Sequence, residues 1–582
     1  MLRLSPLLLS LILLPQSQAQ VQQPGPPDKV MDAGNMASTY VPIENWVYAA
    51  IDRLAAAGYV QTAIVGLRPW TRLEFARLII EAKEQRDDAG YGEKVDPQID
   101  LLIHDLSVEF APELRRQDGE RNREASLESV DFRSTSIHGP PLTDGFHFAQ
   151  TIVNNYGRPY GQGENSYTDV TYRAATGPFA AYIRADLQQS ALAPAAPASA
   201  DFAIAGADFP DFNVTPTSPL PGAMLGPHTG FTSARLIEAY GSYTIRNNQF
   251  TFGRQSLWWG PGNGGPMLMS NNAEPLTMFR YDRTTPFEFP GWGRLLGAIR
   301  IQLFLGRVTG QQYISVAGKP FGQGGIPLAN QPFLNGQKFS FKFTPNFEFS
   351  ISRTVMFAGE GYGFSTHSLL RSLFSIKAGT TVNNASYPGN RRIGVDAQYR
   401  IPGLRNWLTG YVDAYSQDEP FPPIYPSRSS WSPGIYLSHV PHLSHLDFRA
   451  EGFLAPRRMY FPGFYYFNLN YNSGYTNARQ LMGSWIGREA DGFQLWSTWW
   501  LSSRSSIQAS ARHSTQSAQF LKGGDLLDLE VSADIALKKD WQLSGTAQEE
   551  RWRFPLLSPT NTPTHNQTVT IQLSYRPAPK SF

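Results

Sequence analysis

The sequence predicts a mainly β fold: a transmembrane antiparallel β-barrel of about 18 strands behind a small N-terminal α-helical periplasmic domain. Three observations predict it. From Phe132 onward the 582-residue chain repeats short runs in which apolar and polar side chains alternate, each closed by a turn. Alternation gives a strand two faces of opposite character, which a wall between lipid and a polar lumen requires. An export signal stands at the N-terminus, yet no later run approaches the ~18 apolar residues of a membrane helix. A chain that enters a membrane without such a helix satisfies its backbone by closing a sheet.

Residues 1–19 read as a signal peptide, with Arg3, an apolar core from Leu7 to Leu14, and Ser17-Gln18-Ala19 placed for cleavage after Ala19. Residues 20–37 hold Pro24, Gly25, Pro26 and Pro27 and read as a flexible leader. Residues 38–116 are expected to form a helical periplasmic bundle or a plug. Val47, Ala50, Ile51 and Leu54 recur at helical spacing before Gly58, which is placed to cap the end. Thr71 and Glu74 have the spacing of a capping box ahead of Phe75, Leu78, Ile79 and Ala82. Asp96-Pro97 opens a third helix bearing Ile99, Leu102, Ile103 and Leu106. The polar stretch 117–130 is expected to be a linker, and 131–582 the outer-membrane β-barrel.

Thr568 to Tyr575 shows the alternation most clearly: Val569, Ile571, Leu573 and Tyr575 point one way, and Thr570, Gln572 and Ser574 the other. Leu529, Val531, Ala533, Ile535 and Leu537 alternate with Asp528, Glu530, Ser532 and Asp534 in the same manner. A soluble sandwich also alternates, but rarely sets three acids on one short strand. Asp447, Arg449 and Glu451 share another polar face and read as lumen charges, with Arg449 expected to pair with its two neighbours. Tight turns are expected at Arg246-Asn247-Asn248, Thr344-Pro345-Asn346, Ser502-Ser503-Arg504 and Lys538-Lys539-Asp540. Long connections are expected at 190–230, 254–296, 308–336, 416–432 and 472–490. Short and long connections do not alternate cleanly under these assignments, so at least one strand among them is misplaced.

The formal net charge is +2, so no global field points to nucleic acid. No cysteine is present, which excludes a disulfide framework and a lipoprotein anchor. Aromatic residues make up 13% of the chain, which suits interfacial girdles and sugar-stacking surfaces alike. His439, His442 and His445 invite a metal reading, but a strand sends His442 to the opposite face and Pro441 interrupts the ladder. Asp447 and Glu451 resemble a glycosidase pair in spacing only, since Arg449 between them opposes the raised pKa that an acid catalyst needs. Arg512-His513-Ser514 is too local to make a hydrolase triad. No enzyme activity, cofactor or metal is expected.

The most distinctive stretch runs Phe252-Gly253-Arg254-Gln255-Ser256-Leu257-Trp258-Trp259-Gly260-Pro261-Gly262, then Ser270-Asn271-Asn272-Ala273, Tyr281-Asp282-Arg283 and Pro286-Phe287-Glu288. It resembles the Wzi family of capsule-assembly outer-membrane proteins, and the likeness extends from about Ser38 to the C-terminus. The resemblance implies an 18-stranded barrel with a periplasmic helical bundle, associated with holding capsular or related exopolysaccharide at the cell surface. Read physically, the stretch offers flat rings for sugar faces and Asn, Arg and Asp for hydroxyl and acidic groups. The candidate polysaccharide contacts are therefore Trp258, Trp259, Asn263, Asn271, Asn272, Arg280, Asp282 and Arg283. The alternative for the same residues is structural: loop packing inside the barrel and a lumen charge network.

Trp46, Ala50-Ile51, Leu54, Gly58-Tyr59, Arg68-Pro69 and Thr71 to Ala76 also resemble one S-layer homology motif, a cell-wall polymer binder. The chain lacks the Gly- and Asp-containing segment usual between that motif's helices. The expectations are thus an outer-membrane protein that binds a long surface polysaccharide without chemistry, with membrane lipid and periplasmic export or assembly machinery as partners. The alternative is a porin for sugars and other small solutes.

Overall fold

Alternation along the C-terminal three quarters resolves into one closed sheet. The computed structural model describes residues 32–577 apart from 90–95, 194–196, 211–228, 317, 376–388, 402, 405–406, 419–420, 456–460, 539, 559 and 561. The signal-peptide expectation lies outside the described residues.

In chain order the strands are β1 (Arg123–His138), β2 (Gly163–Thr176), β3 (Phe179–Ser190), β4 (Phe231–Ile245), β5 (Asn248–Gln255), β6 (Leu276–Arg283) and β7 (Ala298–Arg307). A hairpin of β8 (Tyr313–Val316) and β9 (Lys319–Gly322) precedes β10 (Phe333–Thr344), β11 (Phe347–Phe357), β12 (Asn390–Arg400), β13 (Leu408–Gln417), β14 (Ser430–Leu437) and β15 (Leu446–Phe453). A second hairpin of β16 (Thr476–Asn477) and β17 (Gln480–Leu481) precedes β18 (Ala490–Trp500), β19 (Ser506–Gln516), β20 (Gly524–Lys538), β21 (Trp541–Arg553) and β22 (Thr564–Tyr575). Without the two hairpins, the strands form an 18-stranded antiparallel sheet, and β1 pairs with β22 to close it.

The pairing of Phe132 with Leu573 and Ser134 with Ile571 sets the wall's two faces. Ile571 is 58% exposed and its neighbour Thr570 partners Thr135 in the lumen at 3.0 Å. The outer face is apolar and the inner one polar, as a bilayer-spanning barrel requires. A one-residue slip would reverse every side chain.

Short and long connections now fall on opposite rims, with 284–297 between β6 and β7 the long exception on the short-turn side. Short turns at 177–178, 246–247, 345–346 and 501–505 lie at one rim, and the long connections 139–162, 191–230, 256–275, 308–332, 358–389 and 454–489 at the other. The expected long loop 254–296 was the misplaced assignment, because it contains β6. That strand hid because its lumen face mixes Leu276 and Met278 with Arg280 and Asp282, which erases the two-phase pattern.

The N-terminal helices are α1 (Trp46–Ala57), α2 (Arg72–Ala89), α3 (Pro97–Glu109) and α4 (Ala111–Gln117). Asn45 caps α1 and Gly58, at φ 96°, ends it in the left-handed conformation that glycine tolerates. Thr71 Oγ1 accepts the Glu74 amide at 3.2 Å, but the Glu74 carboxylate turns to Arg77 at 2.7 Å and leaves the other half of the capping box unused. Leu54, Phe75, Leu78, Ile79 and Leu106 form the buried core of this domain. Each contributes about 1.5–3 kcal/mol of burial.

Two expectations change here. The stretch 117–130 is no linker, since α4 ends at Gln117 and β1 starts at Arg123. Residues 32–37 are not a flexible leader: Met36 and Ala37 are buried, and the Gly34 carbonyl accepts the Asn247 amide of a short turn at 2.6 Å. Small side chains there allow the backbone to lie against the rim.

Candidate functional site: a lumen filled from both rims

Backbone amides and carbonyls of the helical domain end on charged side chains of the barrel interior. The Glu348 carboxylate of β11 accepts the Val65 and Gly66 amides at 2.9 and 2.8 Å. A Cβ on residue 66 would stand 2.5 Å from an Asp396 oxygen, so a larger residue there would have to displace that carboxylate. On β6 and β7, Arg280 and Arg300 both pair with Asp282 at 2.8 and 3.0 Å and donate to the Pro69 carbonyl at 3.4 Å. The Arg280 guanidinium also lies 3.9 Å over the Tyr40 ring. Arg400 donates to the Ala55 carbonyl at 2.8 Å.

Elsewhere the domain meets β1–β3 through ion pairs. Burial alone would raise the Glu113 carboxyl of α4, but Arg72 and Arg173 outweigh it and hold it at about 2. Burial likewise opposes the lowering of Glu44, which Arg184 and the Tyr156 hydroxyl bring to about 2. Both groups are therefore anionic throughout the physiological range, and their contribution is lost only in strong acid.

From the other rim the 256–275 connection folds inward until Trp258 pairs with Arg68 of the helical domain, with two backbone hydrogen bonds of 3.0 Å. Glu451 accepts the Asn263 and Gly264 amides at 2.6 and 3.0 Å, and Asp413 accepts the Met267 amide at 2.7 Å. Residues of 461–489 pack on the same loop, with the Tyr466 hydroxyl donating to the Met267 carbonyl at 2.6 Å. His147 bridges Asp144 and Asp208 at 2.7 and 3.0 Å, and Arg488 meets Asp208 at 2.5 Å. That cluster ties connection 139–162 to helix α5 (Ala198–Asp208) and to 454–489. Burial lowers the His147 pKa, but the two aspartates prevail and raise it to about 9.

The expected sugar contacts are distributed through this filling. Trp258 and Trp259 are 6% and 1% exposed, and Trp259 Nε1 donates to Gln302 at 2.6 Å. Asn271 and Asn272 are buried, Asn272 donating to Gln150 at 2.9 Å. Arg280 and Asp282 are fully buried in the clamp described above, and Arg283 is buried on the outward side of β6. Only Asn263 of the eight has an exposed side chain.

Asp447, Arg449 and Glu451 do face the lumen, but Arg449 reaches Asp52 of α1 at 3.8 Å rather than its strand neighbours. Asp447 accepts Trp500 Nε1 at 2.7 Å. The pairing was misassigned because partners across the lumen are invisible along one strand. Glu348, Asp413 and Gly66 went unnoticed for the same reason; the one available signal was a carboxylate on an inward strand position.

Two polar cavities persist beside the filling. One of about 310 Å³ opens near α3 and the short-turn ends of β1, β20 and β22, between His104, Asp131, Arg173, Asp540 and Arg576. The other, about 300 Å³, lies farther in, between Arg133, Tyr167, Trp496, Asp528 and Glu530. Gln572, which lines the second, accepts from Arg133 at 2.7 Å and donates at 3.3 Å to Asp131, which lines the first.

Fold and filling together define a transmembrane β-barrel whose lumen is filled from both rims beside two polar cavities. The chain belongs to the Wzi capsule-assembly protein family, whose model matches residues 133–567. Escherichia coli Wzi, an outer membrane protein described as a carbohydrate-binding β-barrel involved in group 1 capsule assembly, has a similar fold: TM-score 0.64 at 12% identity, covering 93% of this chain and all (100%) of that one. An uncharacterized 55.8 kDa protein of the Klebsiella pneumoniae cps region is 26% identical over 185 residues, 31% of this chain and 33% of that protein. The chain thus matches about a third of that relative's length.

Proposed function

We propose that this protein sits in the outer membrane and holds a long capsular or related surface polysaccharide without chemical turnover. The observation that carries this reading is the filled lumen of a Wzi-family barrel, which leaves the long-loop rim as the surface open to a polymer. On that rim Phe321 and Tyr425 present exposed rings, whereas the indoles of Trp258 and Trp259 are covered. Sugar stacking therefore falls to the rim, and the Trp258-Trp259 segment fastens the plug. Many weak contacts along one repeating polymer give avidity without a tight single site. The helical domain, on the opposite rim, faces the periplasm in this reading, with export or assembly machinery within its reach.

The test is co-sedimentation of refolded full-length protein with the host's own surface polysaccharide. Changing Phe321 and Tyr425 together to alanine is expected to weaken retention, while Trp259→Phe leaves it unchanged. Absence of retention by the unaltered protein sinks the reading. A porin reading would instead require large steady conductance from the intact chain, which the chain segments filling the lumen oppose.

A further inference from the structure

Several outward-facing positions of the barrel wall are covered. On the face that carries exposed Phe252 and Phe279, the next outward positions of β6, Tyr281 and Arg283, are buried, and so is Ile299 of β7. The β6–β7 connection packs against Arg283 and Ile299 where it leaves β6 at the short-turn rim, while Tyr281 packs on Phe250 and donates to Asn248 at 2.8 Å. Phe287 pairs with Ile299 through backbone hydrogen bonds of 3.0 and 2.8 Å, and the Arg283 guanidinium lies 5.5 Å from the Phe287 ring. The 3₁₀ turn Gly291–Leu296 then presents Trp292, 90% exposed, and Leu295, 73% exposed, away from the barrel, with Arg294 exposed between them.

The same sector is covered at the other rim. Helix α6 (Thr366–Phe374) follows β11 and lies on the outer wall. Asn335 and Gln337 of β10 and Arg353 of β11 face outward, where lipid would leave their polar groups unsatisfied. Instead Asn335 donates to Ser372 Oγ at 2.7 Å, Gln337 to the Leu373 carbonyl at 3.0 Å, and Arg353 to the Leu373 and Ser375 carbonyls at 2.8 and 2.7 Å. Val355 and Phe357, also outward, are buried with Leu369 packed against them. The opposite side of α6 exposes Leu370 and Phe374.

We propose that residues 286–296 and helix α6 are lipid anchors, lying in the interfacial layers at the two surfaces of the bilayer that surrounds the barrel. This rests on the membrane-spanning reading of the wall. Each element turns exposed apolar side chains outward on a wall whose own outward positions, such as Phe252 and Phe279, are apolar and exposed. In water, Trp292, Leu295, Leu370 and Phe374 would form exposed apolar patches with nothing to gain. At an interface a Trp with flanking leucines and an arginine near headgroup phosphates is favourable. Anchors on one sector, β6 to β11, would fix the barrel's rotation and depth in the membrane.

The chain has no cysteine, so single labels are clean. Leu295→Cys and Leu370→Cys in the full-length protein carry an environment-sensitive fluorophore in phosphatidylcholine/phosphatidylglycerol vesicles, with and without brominated acyl chains. Val531→Cys marks the bare lipid-facing wall and Ile424→Cys the aqueous rim. Brominated lipid is expected to remove most of the emission at 295 and 370, as at 531, whereas aqueous iodide quenches only 424. Quenching of 295 and 370 by iodide alone, with 531 still quenched by brominated lipid, overturns the proposal. So does self-quenching that grows with protein density, which marks a second copy on these faces. Failure of brominated lipid at 531 as well overturns the membrane-spanning reading along with it. Trp292→Cys and Phe374→Cys repeat the measurement if a first variant misfolds.

Discussion

The two halves of the barrel wall solve the lumen differently. Strands β5–β7 and β10–β15 face the plug, and their inner side chains end on backbone groups of chain segments that fill the lumen, as Glu348 does on Val65 and Gly66. Strands β1, β2 and β18–β22 border the cavities, and their inner polar groups often pair within the wall, as Arg133 does with Gln572 at 2.7 Å. A plugged wall needs side chains matched to a partner's backbone, which fixes them individually. A hollow wall needs only polarity, since water satisfies what neighbours do not.

That contrast can be broken by mutation, and equilibrium urea unfolding in vesicles, followed by tryptophan fluorescence, measures each case. Asp282→Ala on the plugged wall strands Arg280 and Arg300 as uncompensated buried cations, with an expected loss of about 3–5 kcal/mol. Val531→Lys on the lipid side of the hollow half puts a charge in hydrocarbon, at an expected cost of about 2–4 kcal/mol. Glu348→Ala leaves two plug amides without their acceptor, for about 2 kcal/mol or more. Glu530→Gln beside the cavity keeps a polar, hydrated group and should change stability by no more than about 0.5 kcal/mol. If Glu530→Gln costs as much as Asp282→Ala, the distinction between the halves fails.

The loop filling gives a pH test of the same comparison. His147 has its pKa raised to about 9 from an ordinary 6.5, so its contribution is complete below about 6.5 and disappears as pH rises through about 9. Protease cleavage within 139–162 and 454–489 is expected to accelerate between neutral pH and pH ~10, while cleavage of the helical domain, held by Glu113, stays constant. Equal protection of those loops at both pH values would remove His147 as the fastening group.

Legibility followed the same division. β20 and β22 could be read residue by residue, because lipid on one side and water on the other impose strict alternation. The first three helices were legible from Val47–Gly58, Thr71–Glu74 and Asp96-Pro97, since helical spacing and caps are local chemistry. β6 was not, because a plug allows Leu276 and Met278 on the lumen side beside Arg280 and Asp282. Trp258 and Trp259 were visible as unusual, but exposed rings and buried rings look the same in a sequence.

The sequence by itself determined the barrel, its helical preface and the polarity of its two faces, since each is written in short-range periodicity. Only the tertiary structure decided which carboxylate meets which amide, that Arg449 turns to Asp52, and that helix α6 lies on the outer wall. Those contacts join residues tens to hundreds of positions apart, and nothing in local spacing encodes a partner across the lumen or around the rim.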